Sequence, residues 1–71
     1  MDIEAINLAY NPETRCKATY LDADGFPTQG LMIEPPQKSL MGGFFVFINN
    51  YATRVTTDRI IHIEDTKRLW A

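Results

Sequence analysis

Side chains able to do chemistry are scarce in this sequence, which holds one histidine, His62, and one cysteine, Cys16. A thiolate–imidazole pair is the one nucleophilic arrangement they allow. His62 sits between Ile61 and Ile63 in a strand-like run, which reads as a structural or surface histidine rather than a general base. Cys16 reads as a small, semi-apolar strand residue. One histidine and one cysteine cannot build a tetrahedral nitrogen/sulfur zinc site within a chain. The Asp22-x-Asp24-Gly25 turn has the look of a calcium loop. With Gly25 at the loop's sixth position, however, carboxylates would be needed where Tyr20 and Leu31 stand. Gly42-Gly43 runs into a strand rather than a helix start, so it offers no phosphate cradle. The expectation is a protein with no catalytic residue, no metal and no cofactor.

Binding chemistry is better represented. Arg54 and Arg59 flank a short turn, and Tyr51 lies at the preceding hairpin. Arginines near an exposed aromatic can grip a phosphate, a base or a carboxylate, and these three are the candidate ligand-binding residues. The competing reading pairs both arginines with Asp58 and Glu64 as ordinary surface charges. Phe44 and Trp70 are the candidate partner-binding residues. Trp70 either plugs a small core, the use expected where every apolar side chain counts, or stays exposed as an anchor. An outward-facing Phe44 and Ile60 together would mark an oligomer or protein interface.

The frame that must position these residues is small. Seventy-one residues, 45% of them hydrophobic, suit one domain over residues 1–71. The lone Cys16 cannot form an intrachain disulfide. No apolar run approaches the ~20 residues of a membrane helix, and Met1-Asp2-Ile3-Glu4 carries acid where a signal peptide carries base. A cytoplasmic protein without membrane contact is expected. Net charge is −2, unevenly spread. Residues 1–36 hold six acids against Arg15 and Lys17, whereas residues 37–71 hold Lys38, Arg54, Arg59, Lys67 and Arg68 against three acids. Broad nonspecific duplex binding lacks its electrostatic drive, while a local basic face from the second half remains available.

Periodicity supplies the elements. Ile3, Ile6 and Tyr10 fall at helical spacing after Asp2, a capping residue, until Pro12 ends the segment. From Arg15 the period becomes two, with Cys16, Ala18 and Tyr20 on one face. Asp22 to Gly25 is turn chemistry. A second strand is expected from Gln29 to Glu34 with Leu31 and Ile33 on one face, ended by Pro35-Pro36. Gln37 to Gly43 reads as a loop, Phe44 to Ile48 as a central strand, and Ala52 to Thr57 as a fourth strand. Thr57-Asp58-Arg59 is a tight turn, Ile60 to Glu64 a fifth strand, and Asp65 to Ala71 a polar tail. Five short strands after a helical turn predict an all-β fold, a small five-stranded SH3-like or Sm-like barrel.

Tyr20 with Asp24-Gly25, Ile33-Glu34-Pro35, Gly43-Phe44-Phe45-Val46, and Arg54 followed by Asp58-Arg59-Ile60 occur in an order that resembles the WYL domain. That family is an Sm-like barrel of bacterial transcription regulators and defence-associated proteins. The resemblance covers about residues 20–64. Phe44-Phe45-Val46 stands where the family has its name-giving Trp-Tyr-Leu strand, and the family's helix-turn-helix has no counterpart here. The resemblance implies a sensing module for a ligand or nucleic acid, with Arg54 and Arg59 as contacts.

Two functions follow as expectations. One is a non-enzymatic, regulatory binding module that recognises a nucleotide, a nucleic acid or a regulatory partner through a basic strand-turn face. The other is a stand-alone protein-interaction factor that modulates a larger complex, or pairs with its own copies, through an exposed sheet edge or apolar face.

Overall fold

Helix α1, Ile3–Ala9, begins where the Asp2 carboxylate accepts the Ala5 N–H at 2.8 Å. That bond satisfies one of the free donors of the first turn. Seven residues are too few to hold a helix alone in water. Its stability comes instead from Ile6, fully buried in the core, with Met1, Ala9 and Tyr10 packed around it. The terminal amine of Met1 donates to the carbonyls of Thr57 and Ile60, tying the start of the chain to its last turn.

The computed structural model describes residues 1–70, and about half of them lie in strands. These are β1 (Thr14–Leu21), β2 (Pro27–Met32), β3 (Gln37–Lys38), β4 (Phe44–Ile48), β5 (Thr53–Thr56) and β6 (Ile60–Leu69). β1 alternates as expected: Thr14, Cys16, Ala18 and Tyr20 are buried and their neighbours half-buried. Asp22 organises the turn into β2, its carboxylate accepting the N–H groups of Asp24 and Phe26, each at 2.9 Å.

The sheet departs from the expected layout in four places. β2 starts at Pro27, and its buried residue is Met32 opposite Cys16, while Leu31 faces outward with Lys17. A one-residue difference in register exchanges the two faces of a strand. Second, the presumed loop after the prolines contains β3. β5 occupies one edge of β4, so Met32, opposite Ile48, and Gln37, opposite Phe45, share the other edge. β2 and β3 are thus one bent path, broken where Pro35 and Pro36 have no N–H to give, and six strands replace five. Third, β6 runs through the presumed tail to Leu69 by way of a bulge, in which Lys67 adopts φ 63° and its N–H bonds the Asp65 carboxylate.

The fourth departure concerns closure. Strand order is β3-β4-β2-β1-β6, with β5 on the far edge of β4. No ladder joins β5 to β6 among the described residues. The 3-10 turn Thr57–Arg59 links them instead. The sheet is a curled antiparallel half-barrel rather than a closed five-stranded barrel. Its concave side holds one core drawn from every large element: Ile6, Cys16, Ala18, Tyr20, Met32, Val46, Ile48, Val55, Ile60 and Ile63. Among the described residues, no helix is long and apolar enough to cross a membrane.

Candidate functional site

β4 decides what faces outward. Val46 and Ile48 are fully buried in the core, and alternation places Phe44 on their side, half-buried near the strand's start. Ile60 is fully buried as well, so the outward-facing Phe44–Ile60 pair does not form. Phe45 and Phe47 take the outer face. Phe45 is nearly buried there without joining the core, because other outer-face groups cover it.

The principal cover is Arg54. It stands opposite Phe47 on β5, and its guanidinium lies 3.9 Å above the Phe45 ring centroid. Stacking of this kind is worth about 0.5–1 kcal/mol at an exposed site. Phe45 meets Phe47 edge-on at 5.2 Å, and Phe47 meets Tyr51 at 4.9 Å. Tyr51 comes from the β4–β5 turn, where Asn49, Asn50 and Tyr51 all have left-handed φ values of 56–69°. Asparagine tolerates that region, whereas a tyrosine is strained there. The turn sets the Tyr51 ring on Phe47 and its hydroxyl 3.1 Å from Glu34, to which it donates. This hydrogen bond to a carboxylate, and the carboxylate's charge, push the Tyr51 phenol above its ordinary pKa. Glu34 also accepts from the Gln37 side-chain amide.

At the other end of the aromatic row, the β3–β4 hairpin rises beside Arg54. Gly42 and Gly43 adopt φ values of 96° and 70°, closing a loop in which the Ser39 N–H bonds the Gly43 carbonyl. The Ser39 hydroxyl accepts from the Met41 N–H at 3.2 Å and from Arg54 Nη2 at 3.4 Å. Lys38, Ser39, Leu40, Met41, Phe45 and Arg54 line a pocket of about 380 Å³. Leu40 and Met41 are essentially fully exposed, at 105% and 95%.

The ligand-binding residues expected from the sequence are therefore only partly united. Tyr51 and Arg54 share one face through Phe47 and Phe45. Arg59 is held apart, its Nε donating to the Leu21 carbonyl at 2.8 Å, where it fastens the last turn to the end of β1. Neither arginine forms an ion pair with Asp58 or Glu64, since Lys67–Asp65 is the one salt bridge among the described residues. Trp70 does not plug the core. It lies outside at 41% exposure, with the Arg15 guanidinium 5.5 Å from its ring centroid and its N–H on the Glu13 carbonyl. Cys16 is sealed in the core beside Asn11, while His62 is exposed on the outer face, so they form no pair. No group of three metal-ligating side chains occurs among the described residues.

Sequence reasoning missed Lys38, Ser39, Leu40, Met41 and Glu34. The hairpin left one legible signal. Two large apolar residues directly before Gly42-Gly43 sit where a turn must be, and a turn's tip has no interior to enter. No family model matches this chain, and neither a curated protein nor a solved structure matches it.

Proposed function

We propose that the protein is a non-enzymatic interaction module, built as an open variant of the SH3-like barrel, that docks a partner protein on the β3–β4 hairpin and the adjoining outer face. The strand path β6-β1-β2/β3-β4-β5 and the 3-10 turn before the last strand support the SH3-like reading. One observation carries the docking reading: Leu40 and Met41 are exposed side by side at the rim of the Phe45–Arg54 pocket. Isolated exposed apolar residues are ordinary, but two adjoining a formed pocket are the pattern of an interaction surface. Such a module would regulate a larger assembly by occupying one of its surfaces.

The test is affinity capture from native lysate, with and without nuclease, comparing the wild type with a Leu40→Ser/Met41→Ser variant. A discrete, nuclease-resistant partner lost from the variant is expected, with the variant's urea midpoint unchanged because neither side chain is buried. Capture retained by the variant would remove the hairpin from the site.

Recognition of a nucleotide or nucleic acid is the second reading. Arg54 favours it, since most of its guanidinium edge is unengaged, and so does the resemblance to the WYL domain. Against it, Arg59 is engaged with Leu21 and the Glu34 carboxylate borders Tyr51. A capture abolished by nuclease and by Arg54→Ala, yet indifferent to the hairpin variant, would select it.

A further inference from the structure

The pocket's lining specifies more than exposure alone. Its two charged residues, Lys38 and Arg54, are both cations, and neither has a carboxylate partner among the described residues. The Arg54 guanidinium carbon lies 3.9 Å from the Phe45 ring centroid, so the cation sits over the ring at the pocket's wall. Five donors are available on a guanidinium, and one bond, to Ser39 at 3.4 Å, is made. The ring contact and the Ser39 bond restrain the side chain, and a guanidinium with donors left over suits bidentate carboxylate recognition. The remaining walls, Leu40 and Met41, are apolar, and a methionine adapts its shape to what it meets.

We infer that this pocket receives a short acidic–aliphatic segment of a partner protein, its carboxylate on Arg54 and Lys38 and its neighbouring aliphatic side chain against Leu40, Met41 and the edge of Phe45. The inference rests on the docking reading above and names the chemistry of the partner. A volume of about 380 Å³ has room for a carboxylate and a neighbouring aliphatic side chain, and lies at the small end of ligand pockets. A polyanion would need cations repeated along a track. The pocket itself is lined by two cations, Lys38 and Arg54, which suits a single carboxylate. A second copy of this chain is the competing occupant, because α1 exposes Glu4 and Leu8 one helical turn apart. A rigid helix of seven residues presents little beyond that pair. It falls well short of the ~1,200 Å² that a stable interface buries.

The experiment is an amide NMR titration of the full chain with three Gly-Ser decapeptides, carrying Glu-Glu-Leu-Leu, Gln-Gln-Leu-Leu or Glu-Glu-Ser-Ser at their centres. Saturable shifts at Lys38–Met41, Phe45 and Arg54 are expected with the first peptide, and binding at least ~10-fold weaker with the other two. An Arg54→Ala variant should lose the response ~10-fold while its remaining resonances stay in place. The inference is overturned by an absent response, by equal binding of the uncharged or serine peptide, or by stronger shifts at these residues from ATP. Concentration-dependent shifts at Leu8 and Met41 in the protein alone would give the pocket to a second copy and likewise overturn it. If the peptides fail while the hairpin variant still loses its captured partner, the docking reading stands and the acidic chemistry alone falls.

Discussion

Asp65 shows how much of this fold hangs on single side chains. Its carboxylate accepts the Lys67 N–H at 2.8 Å and the Thr14 hydroxyl at 2.7 Å, so it both shapes the β6 bulge and joins that bulge to the start of β1. The backbone hydrogen bond from Lys67, then the side-chain hydroxyl bond from Thr14, holds its pKa below the ordinary carboxylate value. A carboxyl whose folded pKa is depressed adds stability above its unfolded pKa of about 3.9 and loses it as pH falls through the folded value. Asp65→Asn keeps an oxygen acceptor but removes the charge. The variant should therefore lose less stability than the wild type between pH 7 and pH 3, measured as the shift in urea midpoint. Parallel acid limbs would show that the bulge does not depend on the ionised form. Arg54 and Arg59 make a related point: alike in the sequence, they differ in what they meet, Phe45 and solvent for one, a backbone carbonyl for the other.

Strand β2 places its demands on a residue without a side chain. Gly30 lies opposite Ala18, and a Cβ there would come 2.7 Å from Asn49 Oδ1 and closer still to the Ile48 side chain. Ile48 is fully buried and cannot yield freely, and Asn49 Oδ1 accepts the Leu31 N–H at 3.3 Å. Gly30→Ala should destabilise by about 1–3 kcal/mol through overpacking, read as a lower urea midpoint with an unchanged slope. An unaltered midpoint would mean that β2 and β4 lie farther apart than described. Nothing in the sequence around Gly30 announces that approach. The elements themselves were largely legible: alternation located β1, a continuous run of aromatic and β-branched residues located β4, capping and spacing located α1, and Thr57–Arg59 reads as a tight turn. What failed were long-range features. The faces of β2 depend on register against β1, β3 exists only because β4 offers an edge, and the extension of β6 needs the bulge at Lys67. At the site, Tyr51 and Arg54 could be read as neighbours across a short turn. The hairpin pocket could not, because it depends on how Pro35-Pro36 redirects the chain.

For the whole molecule the decisive property is whether the curl closes. β1 is paired on both sides, with β2 from Cys16 to Leu21 and with β6 from Thr14 to Tyr20. Each of its central amides therefore has a partner, and their exchange with solvent should require the largest opening of the domain. β5 has one partner, β4, and β6 has one, β1. In an antiparallel edge strand, alternate residues direct their N–H groups away from the single partner. Hydrogen exchange on the full chain should then be uniformly slow for Lys17, Ala18 and Thr19, and should alternate between slow and fast along Thr53–Thr56 and, beyond the register shift at Ile61, along His62–Glu64. Uniform protection of the last two stretches would show that they meet in solution as a closed barrel. An open edge has a functional consequence, because unpaired strand groups recruit other chains unless they are blocked. The bulge at Lys67 interrupts part of the β6 edge, and the 3-10 turn ends β5 after four residues. The proposed docking surface lies instead on the hairpin side of β4. Alternating protection that persists while the acidic–aliphatic peptide shifts the hairpin amides would place docking on that face and not on the free edges.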